Sequence, residues 1–506
     1  MRLTQAIQRA VMSCPNGIAT VEADRQRTWH EVFGRVRQGA SIFRSLNIQD
    51  GERVAVLADN SATYFELFHS VPWAGGVIVP INTRLTVAEI SYILKDCEAT
   101  CLVYSPAHRE TAEAAAQATG IKHILSVDSP EDEKSYDARL SGAESVDDAG
   151  RGGSDLAAIY YTSGTTGQAK GVMLSHGNLA ANALSILTYI PFNRTSVNIH
   201  AAPMFHLAAL GIYPVTMVGG CHVFAKRVDA HGLIDAICSY NVTHCMTVPI
   251  LIDRMAKMVA ETKTKMPSLQ MLGYGGSPIS STVLDRARRT WPEVDFIQGY
   301  GLTEAPSITF LGPDYHTASG EKRGKLRSAG EPIYSFEMAI RDPETGETLP
   351  ANQTGEICAR GPNVMQGYWN KPELTASVLS EDGWFRSGDA GHIDEDGFLT
   401  ITDRIKDMIV TGGENVYSLE VENILVKHPD VDDCAVVGVP HPEWGEAVHA
   451  VIAPNAGANP DEDVLAEFCR ERLATYKCPK SYQVFDGELP RTASGKIQKN
   501  ILKKLL

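Results

Sequence analysis

The sequence predicts an α/β chain, α+β overall. A large N-terminal part holds two α/β sheet subdomains and a β-barrel-like piece, and a small α+β unit follows. Three observations carry this. Short apolar runs alternate with helix-like segments up to about residue 310, the pattern of strand–helix units with mainly parallel strands. Residues 330–403 change to short alternating strands separated by turns such as Asp342-Pro343-Glu344-Thr345-Gly346 and Asp394-Glu395-Asp396-Gly397, which reads as antiparallel or barrel-like. Beyond these, helical and strand-like stretches mix again without a fixed repeat.

Taken in order, residues 28–46 have the period of an amphipathic helix. Arg53–Leu57, Gly76–Ile81, Ala99–Tyr104 and His123–Val127 are apolar enough to be buried strands. The polar stretch Asp128–Asp155 either joins two subdomains or makes a long surface excursion. Leu156–Tyr161 is a strand by composition and runs straight into a Gly/Thr/Ser loop. In the last unit, Ser418 is placed to cap a helix that carries Val421, Ile424 and Leu425 on one face. Strands at Cys434–Val439 and His449–Ala453 and a helix from about Asp461 complete it.

Bulk properties narrow the function classes. With 43% hydrophobic residues the 506-residue chain can bury several cores. A net charge of −15 argues against a nucleic-acid partner, whose phosphates are met by excess Lys and Arg. A small anion needs only a local site. The ten cysteines are scattered with no CxxC pair, so reduced, mostly buried thiols are expected and no zinc site. No run of about 18 apolar residues predicts a membrane span. The first residues lack the apolar core of a secretory signal, and the last show no lipidation or peroxisomal ending, so a cytoplasmic location is expected.

The most informative segment is Tyr161-Thr162-Ser163-Gly164-Thr165-Thr166-Gly167-Gln168-Ala169-Lys170-Gly171. Its glycines let backbone N–H groups approach an anion closely. The hydroxyls of Thr162, Ser163, Thr165 and Thr166 add donors, and Lys170 adds a point charge. It lacks the Gly-Lys-Ser/Thr of a Walker A loop. Four further segments stand out: Gly273-Tyr274-Gly275-Gly276-Ser277-Pro278, Gln298-Gly299-Tyr300-Gly301-Leu302-Thr303-Glu304, Gly383–Asp389 followed by Asp403-Arg404-Ile405-Lys406-Asp407, and Pro490–Gln498 with Lys496. Read alone, these are turns and solvated charged stretches. At Gly275 and Gly276 the missing side chains would leave room for a flat base or an acyl chain.

Together and in this order the segments resemble the signatures of the adenylate-forming superfamily, which includes acyl-CoA synthetases, peptide-synthetase adenylation domains and firefly-type luciferases. The resemblance spans essentially the whole chain. It implies an ATP-dependent acid–CoA ligase that forms an acyl-adenylate and then passes the acyl group to coenzyme A, with Mg²⁺ as the metal. It implies a nucleotide site of Thr162, Ser163, Gly164, Thr165, Gly167, Lys170, Gly275, Gly276, Ser277, Gln298, Gly299, Tyr300, Gly301 and Thr303, with Asp389 and Arg404 on the ribose. Glu304 would bind the metal, as a hard carboxylate oxygen suits a Mg²⁺ that also holds phosphates. Lys496, Glu304, Thr166 and His206 fall at catalytic positions, and Gly412 and Gly413 open the loop beside the thiol tunnel. Lys406 matches the pivot, dividing the chain into residues 1–403, a hinge at 404–406 and a mobile lid at 407–506.

The stretches expected to line the acyl pocket are small or apolar, with no Arg or Lys for a second carboxylate. That favours a medium- or long-chain fatty acid or a cinnamate-like aryl acid over a diacid. The alternative is a free-standing enzyme that loads an acyl group onto a carrier protein. The resemblance also allows a homodimer.

Overall fold

The computed structural model of the protein describes residues 1–127, 135–162, 168–206, 211–277, 279–412, 414–491 and 497–506. The apolar runs form strands as their composition dictates. Arg53–Leu57, Val77–Pro80, Ala99–Tyr104, His123–Ser126 and Leu156–Thr162 pair in parallel in a seven-stranded sheet. Lys170–Ser175 and the two-residue strand Gly367–Tyr368 extend that sheet antiparallel at one edge.

The polar stretch after residue 127 therefore does not join two subdomains, because the strands on either side of it share one sheet. Its described part opens with the helix Tyr136–Leu140, whose end residues are buried in the core, and then runs along the surface of the body. Trp73 Nε1 donates to the Val146 carbonyl at 3.0 Å, and Thr4 Oγ1 donates to Asp148 at 2.7 Å.

A second sheet of nine strands has a parallel centre of Ile18–Glu22, Cys221–Phe224, Val197–Ile199, His244–Thr247, Met271–Gly275 and Asp295–Tyr300. Its outermost parallel strand comes from the N-terminus, so the two sheets are interleaved in sequence. Between them lies the helix Ala62–Ala74, capped by Ser61 and buried along its entire length. Buried on every side, it belongs to the core rather than to a surface, and its one carboxylate, Glu66, is paired with Arg35 at 2.7 Å. Its Phe65 ring stands 4.4 Å from that of His222 in the second sheet. The amphipathic helix Trp29–Ser45 starts at a capping box of Thr28 and Glu31, which satisfies the first free N–H groups reciprocally.

The segment read as barrel-like is a four-stranded antiparallel sheet of Glu337–Arg341, Gly355–Arg360, Phe385–Ile393 and Leu399–Arg404. The last unit has a five-stranded sheet built on the long hairpin Val431–His441 and Gly445–Pro454, with helices Ser418–Leu425 and Glu462–Arg470. Asp461 caps the second of these helices. Ser418 does not cap the first. It is the first helical residue, and its hydroxyl donates to Asp403 Oδ2 at 2.6 Å. The same carboxylate oxygen accepts from the Ser418 and Leu419 N–H groups, so a distant carboxylate supplies the cap.

All ten cysteines are free, and eight are buried. No helix among the described residues is long and apolar enough to cross a membrane.

Candidate active site at the sheet ends

In open α/β sheets, ligands gather outside the carboxyl ends of the parallel strands. Here four parallel strands end at Ile199, Thr247, Gly275 and Tyr300 along one edge of the second sheet. These strand ends and the loops leaving them carry His206, Gly275, Gly276, Ser277 and the segment Gln298–Glu304.

The loop after Ile199 is held by Asn60. Its Nδ2 donates to the His200 carbonyl at 3.1 Å and to that of Ala202 at 2.8 Å, and its Oδ1 accepts from Met204 N at 2.7 Å. Asn60 lies just beyond the strand Arg53–Leu57, so the first sheet fixes a loop of the second. His206 is the last described residue of this loop, and its Nε2 is buried without a hydrogen-bond partner among the described residues. Burial, and secondarily the Arg84 charge, lowers the His206 pKa to about 4, so its imidazole is neutral at physiological pH.

At the end of the strand Met271–Gly275, glycine has a different reason from the one expected. A Cβ on Gly275 would lie 2.6 Å from the Gly299 carbonyl oxygen of the neighbouring strand. Strand packing by itself therefore excludes a side chain there. Gly276 turns with φ +77° and has open space where a Cβ would stand. Ser277 follows it, half-buried. Gln298 and Gly299 pair with Tyr274 and Gly275, which sets Tyr300 at the strand end.

Tyr300 begins the tight loop that carries Gly301, Thr303 and Glu304. Ile308 N donates to the Tyr300 carbonyl at 2.7 Å, and Met365 N to that of Glu304 at 2.8 Å. The Glu304 side chain is 9% exposed. Its Oε1 accepts from the Tyr368 hydroxyl at 2.7 Å and lies 3.2 Å from Lys170 Nζ. Lys170 Nζ in turn donates to the Tyr368 oxygen at 2.5 Å and sits 4.1 Å from the centre of its ring. Register explains how Tyr368 arrives, since it pairs with Val172, two residues along the strand that starts at Lys170. Burial, then the Glu304 carboxylate, pushes the Tyr368 phenol far above its ordinary range, so it remains a donor.

A second polar cluster adjoins the first. Tyr300 OH donates to Asp389 Oδ2 at 2.8 Å, and Arg404 Nε lies 3.1 Å from Asp389 Oδ1. Asp389 and Arg404 are directly paired on adjacent antiparallel strands. The stretch 403–407 is thus not simply solvated: Asp403 is 7% exposed and Arg404 half-buried, while Lys406 is exposed.

Thr162 ends the strand opposite Lys170, and its Oγ1 is buried without a partner among the described residues. Ser163, Gly164, Thr165, Thr166, Gly167, Gly413 and Lys496 lie outside the described residues. Gly412 has φ +61° and donates its N–H to the Trp444 carbonyl at 2.9 Å. On either side of Lys496, Arg491 bridges to Ile497 and Gln498 N donates to Pro490 O at 2.8 Å. Glu488, just before it, pairs with Arg254 at 2.9 Å, on the helix that leaves the same sheet edge after Thr247.

The donor set fits the groups the reaction would need. Glu304 offers a hard carboxylate oxygen, the kind of donor of which Mg²⁺ uses one or two while phosphates and water complete its shell. The orphan Thr162 hydroxyl beside Lys170 suits a phosphate oxygen. Tyr368 and Asn60 had no local signal in the sequence, since Tyr368 acts on residues 64 and 198 positions away and Asn60 on one 140 away.

Comparison with known proteins covers nearly the whole chain. The family described as AMP-binding enzyme matches residues 7–369, and the AMP-binding enzyme C-terminal domain matches residues 420–496. The chain is 38% identical over 98% of its length to feruloyl-CoA synthase of an Amycolatopsis species, covering 97% of that protein. It superposes on ATP-bound MatB from Rhodopseudomonas palustris with a TM-score of 0.89 and 32% identity, over 100% of this chain and 99% of that one. For o-succinylbenzoate CoA synthetase of Bacillus subtilis, solved with its acyl-adenylate intermediate, the TM-score is 0.86 and the identity 28%, over 99% and 98% of the two chains.

Proposed function

The chain belongs to the AMP-binding enzyme family, and from that membership we propose that it is an AMP-forming acid–CoA ligase acting on an aryl acid of the cinnamate type. One observation carries the substrate class: the full-length similarity to feruloyl-CoA synthase, whose acyl group is a hydroxycinnamoyl. The apolar and small residues around the sheet ends accord with a flat, uncharged acyl portion.

A carboxylate is a poor acyl donor, because its charge and resonance repel a nucleophile. Its oxygen attacks the α-phosphorus of ATP, forming an acyl-adenylate and releasing pyrophosphate. The CoA thiol then attacks the acyl carbon, and AMP leaves. In the first step two anions approach each other, so the barrier is largely electrostatic and positional. Lys170 and Lys496 supply positive charge where negative charge accumulates. Asp389 orients the ribose by accepting its hydroxyl hydrogens, with Arg404 beside it, and Thr162 donates to phosphate. Glu304 would hold the Mg²⁺, which offsets phosphate charge when bound. Neutral His206 borders the acid without adding charge.

The two steps need different partners at one place. We assign residues 1–403 to the body, 404–406 to the hinge and 407–506 to a lid that turns between the steps. A cytoplasmic location and a homodimer belong to the same proposal. AMP formation from ferulate, ATP and Mg²⁺, with and without CoA, tests it. CoA-dependent turnover is expected. Turnover only with fatty acids would overturn the substrate class, and product only on a carrier protein would overturn CoA as acceptor.

A further inference from the structure

The Tyr368 hydroxyl joins two opposite charges. It accepts from the Lys170 ammonium at 2.5 Å and donates to Glu304 Oε1 at 2.7 Å, while Lys170 and Glu304 lie 3.2 Å apart. Its ring also lies against the ammonium, with the nitrogen 4.1 Å from the centroid. The three groups are mostly buried: Tyr368 is 3% exposed, and the Glu304 and Lys170 side chains 9% and 21%. In such a place a carboxylate is costly unless a cation accompanies it. Here Lys170 is that cation, and any second cation must compete with it.

The phenol itself is firmly set. Tyr368 N donates to Thr375 Oγ1 at 2.9 Å. The next residue donates twice, Trp369 N to the Gly171 carbonyl at 2.8 Å and Trp369 Nε1 to that of Asp96 at 2.9 Å. The Asp96 carboxylate accepts from Tyr161 OH at 2.5 Å, at the start of the Gly/Thr/Ser loop. One frame therefore holds Tyr368 and the root of that loop together.

We propose that Tyr368 is a positioning residue that carries Glu304 and Lys170 as one charge-compensated unit. Glu304 yields to a divalent cation only as Lys170 transfers to the phosphates that arrive with it. The phenol keeps donating to Glu304 throughout, so the carboxylate does not swing when its cation changes. Metal and nucleotide then bind well only together. This rests on the ligase reading for the identity of the nucleotide, but it is tested by binding without turnover.

The test is Mn²⁺ binding to the intact protein, followed by electron paramagnetic resonance, with and without ATP and in the absence of any acid. Lys170→Met removes the competing ammonium and is expected to tighten binding of Mn²⁺ alone about tenfold. Tyr368→Phe keeps the ring and removes the hydroxyl. It is expected to weaken Mn²⁺–ATP about tenfold, the scale of one hydrogen bond to a charged group. In a Glu304→Gln background the same change should cost almost nothing further, because its effect passes through that carboxylate. A merely structural tyrosine would instead add its full effect to that of Glu304→Gln, and that result would overturn the proposal. So would unchanged Mn²⁺ affinity in Lys170→Met. Absence of pyrophosphate release with every acid would count against the ligase reading alone and leave these binding results intact.

Discussion

Asp389 and Arg404 face each other across adjacent strands, with Oδ1 and Nε 3.1 Å apart, while Tyr300 OH donates to the other carboxylate oxygen at 2.8 Å. Arg404 opens the segment assigned as the hinge, so one carboxylate ties the end of the parallel strand Asp295–Tyr300 to that segment. Asp389→Asn keeps the size and loses the charge. It is expected to raise the Kd for ATP about ten- to hundredfold, the worth of hydrogen bonds to a charged group. Calorimetric titration with ATP checks this, and affinity within twofold of the parent would remove Asp389 from the nucleotide site.

Lys496 is expected to act in the first step only. Lys496→Ala should lose roughly 10²–10³-fold in adenylation, as when a transition-state donor is removed. Thioester formation from a supplied acyl-adenylate should be largely spared. Single-turnover assays of each half-reaction separate the two, and equal losses in both would contradict a lid that turns between steps.

Asn60 makes three hydrogen bonds to the loop that carries His206. Asn60→Ala leaves that loop unanchored, at about 1 kcal/mol for each neutral bond. The expected result is a KM for the acid raised about tenfold or more with little change in the KM for ATP. Parallel increases in both constants would show that Asn60 supports the whole body rather than this loop.

These cases also show what could be read in advance. Arg53–Leu57, Ala99–Tyr104 and Leu156–Tyr161 were legible because strands buried on both faces are continuously apolar. The interleaving was not. Ile18–Glu22 and Gly367–Tyr368 each join a sheet made mostly of residues far from them in the chain, and no local pattern encodes such pairing. The candidate site divides in the same way. Lys170, Glu304, Asp389 and Arg404 stood in segments whose order carried a resemblance. Tyr368, 198 positions from Lys170, was visible only once strand register brought it there. Ser418 had the residue type of a cap, but Asp403 supplies the capping oxygen instead. At Gly275 the resemblance pointed to ligand space, and the Gly299 carbonyl shows that strand packing also demands a glycine there.

Stability should depend on pH through buried histidines. His69 and His200 are 1% and 5% exposed, and burial lowers the pKa of each to about 3. Between pH 6.5 and 3 the unfolded chain binds protons that the folded chain refuses, so stability rises with pH across that window and levels off above it. Each of the two should withdraw about 1.4 kcal/mol per pH unit below 6.5. Urea denaturation at pH 7.5 and pH 5 measures this, and the midpoint is expected to fall at the lower pH. An unchanged midpoint would mean that these side chains accept protons in the folded protein.

The central claim is that the protein joins an aryl acid to AMP before any thiol is involved. Exchange of labelled pyrophosphate into ATP tests it most directly, because exchange requires a reversible acyl-adenylate and needs no CoA. Purified protein with Mg²⁺, ATP and ferulate is expected to catalyse exchange that depends on the acid and disappears in Lys496→Ala. No exchange with any cinnamate, benzoate or fatty acid would contradict the account.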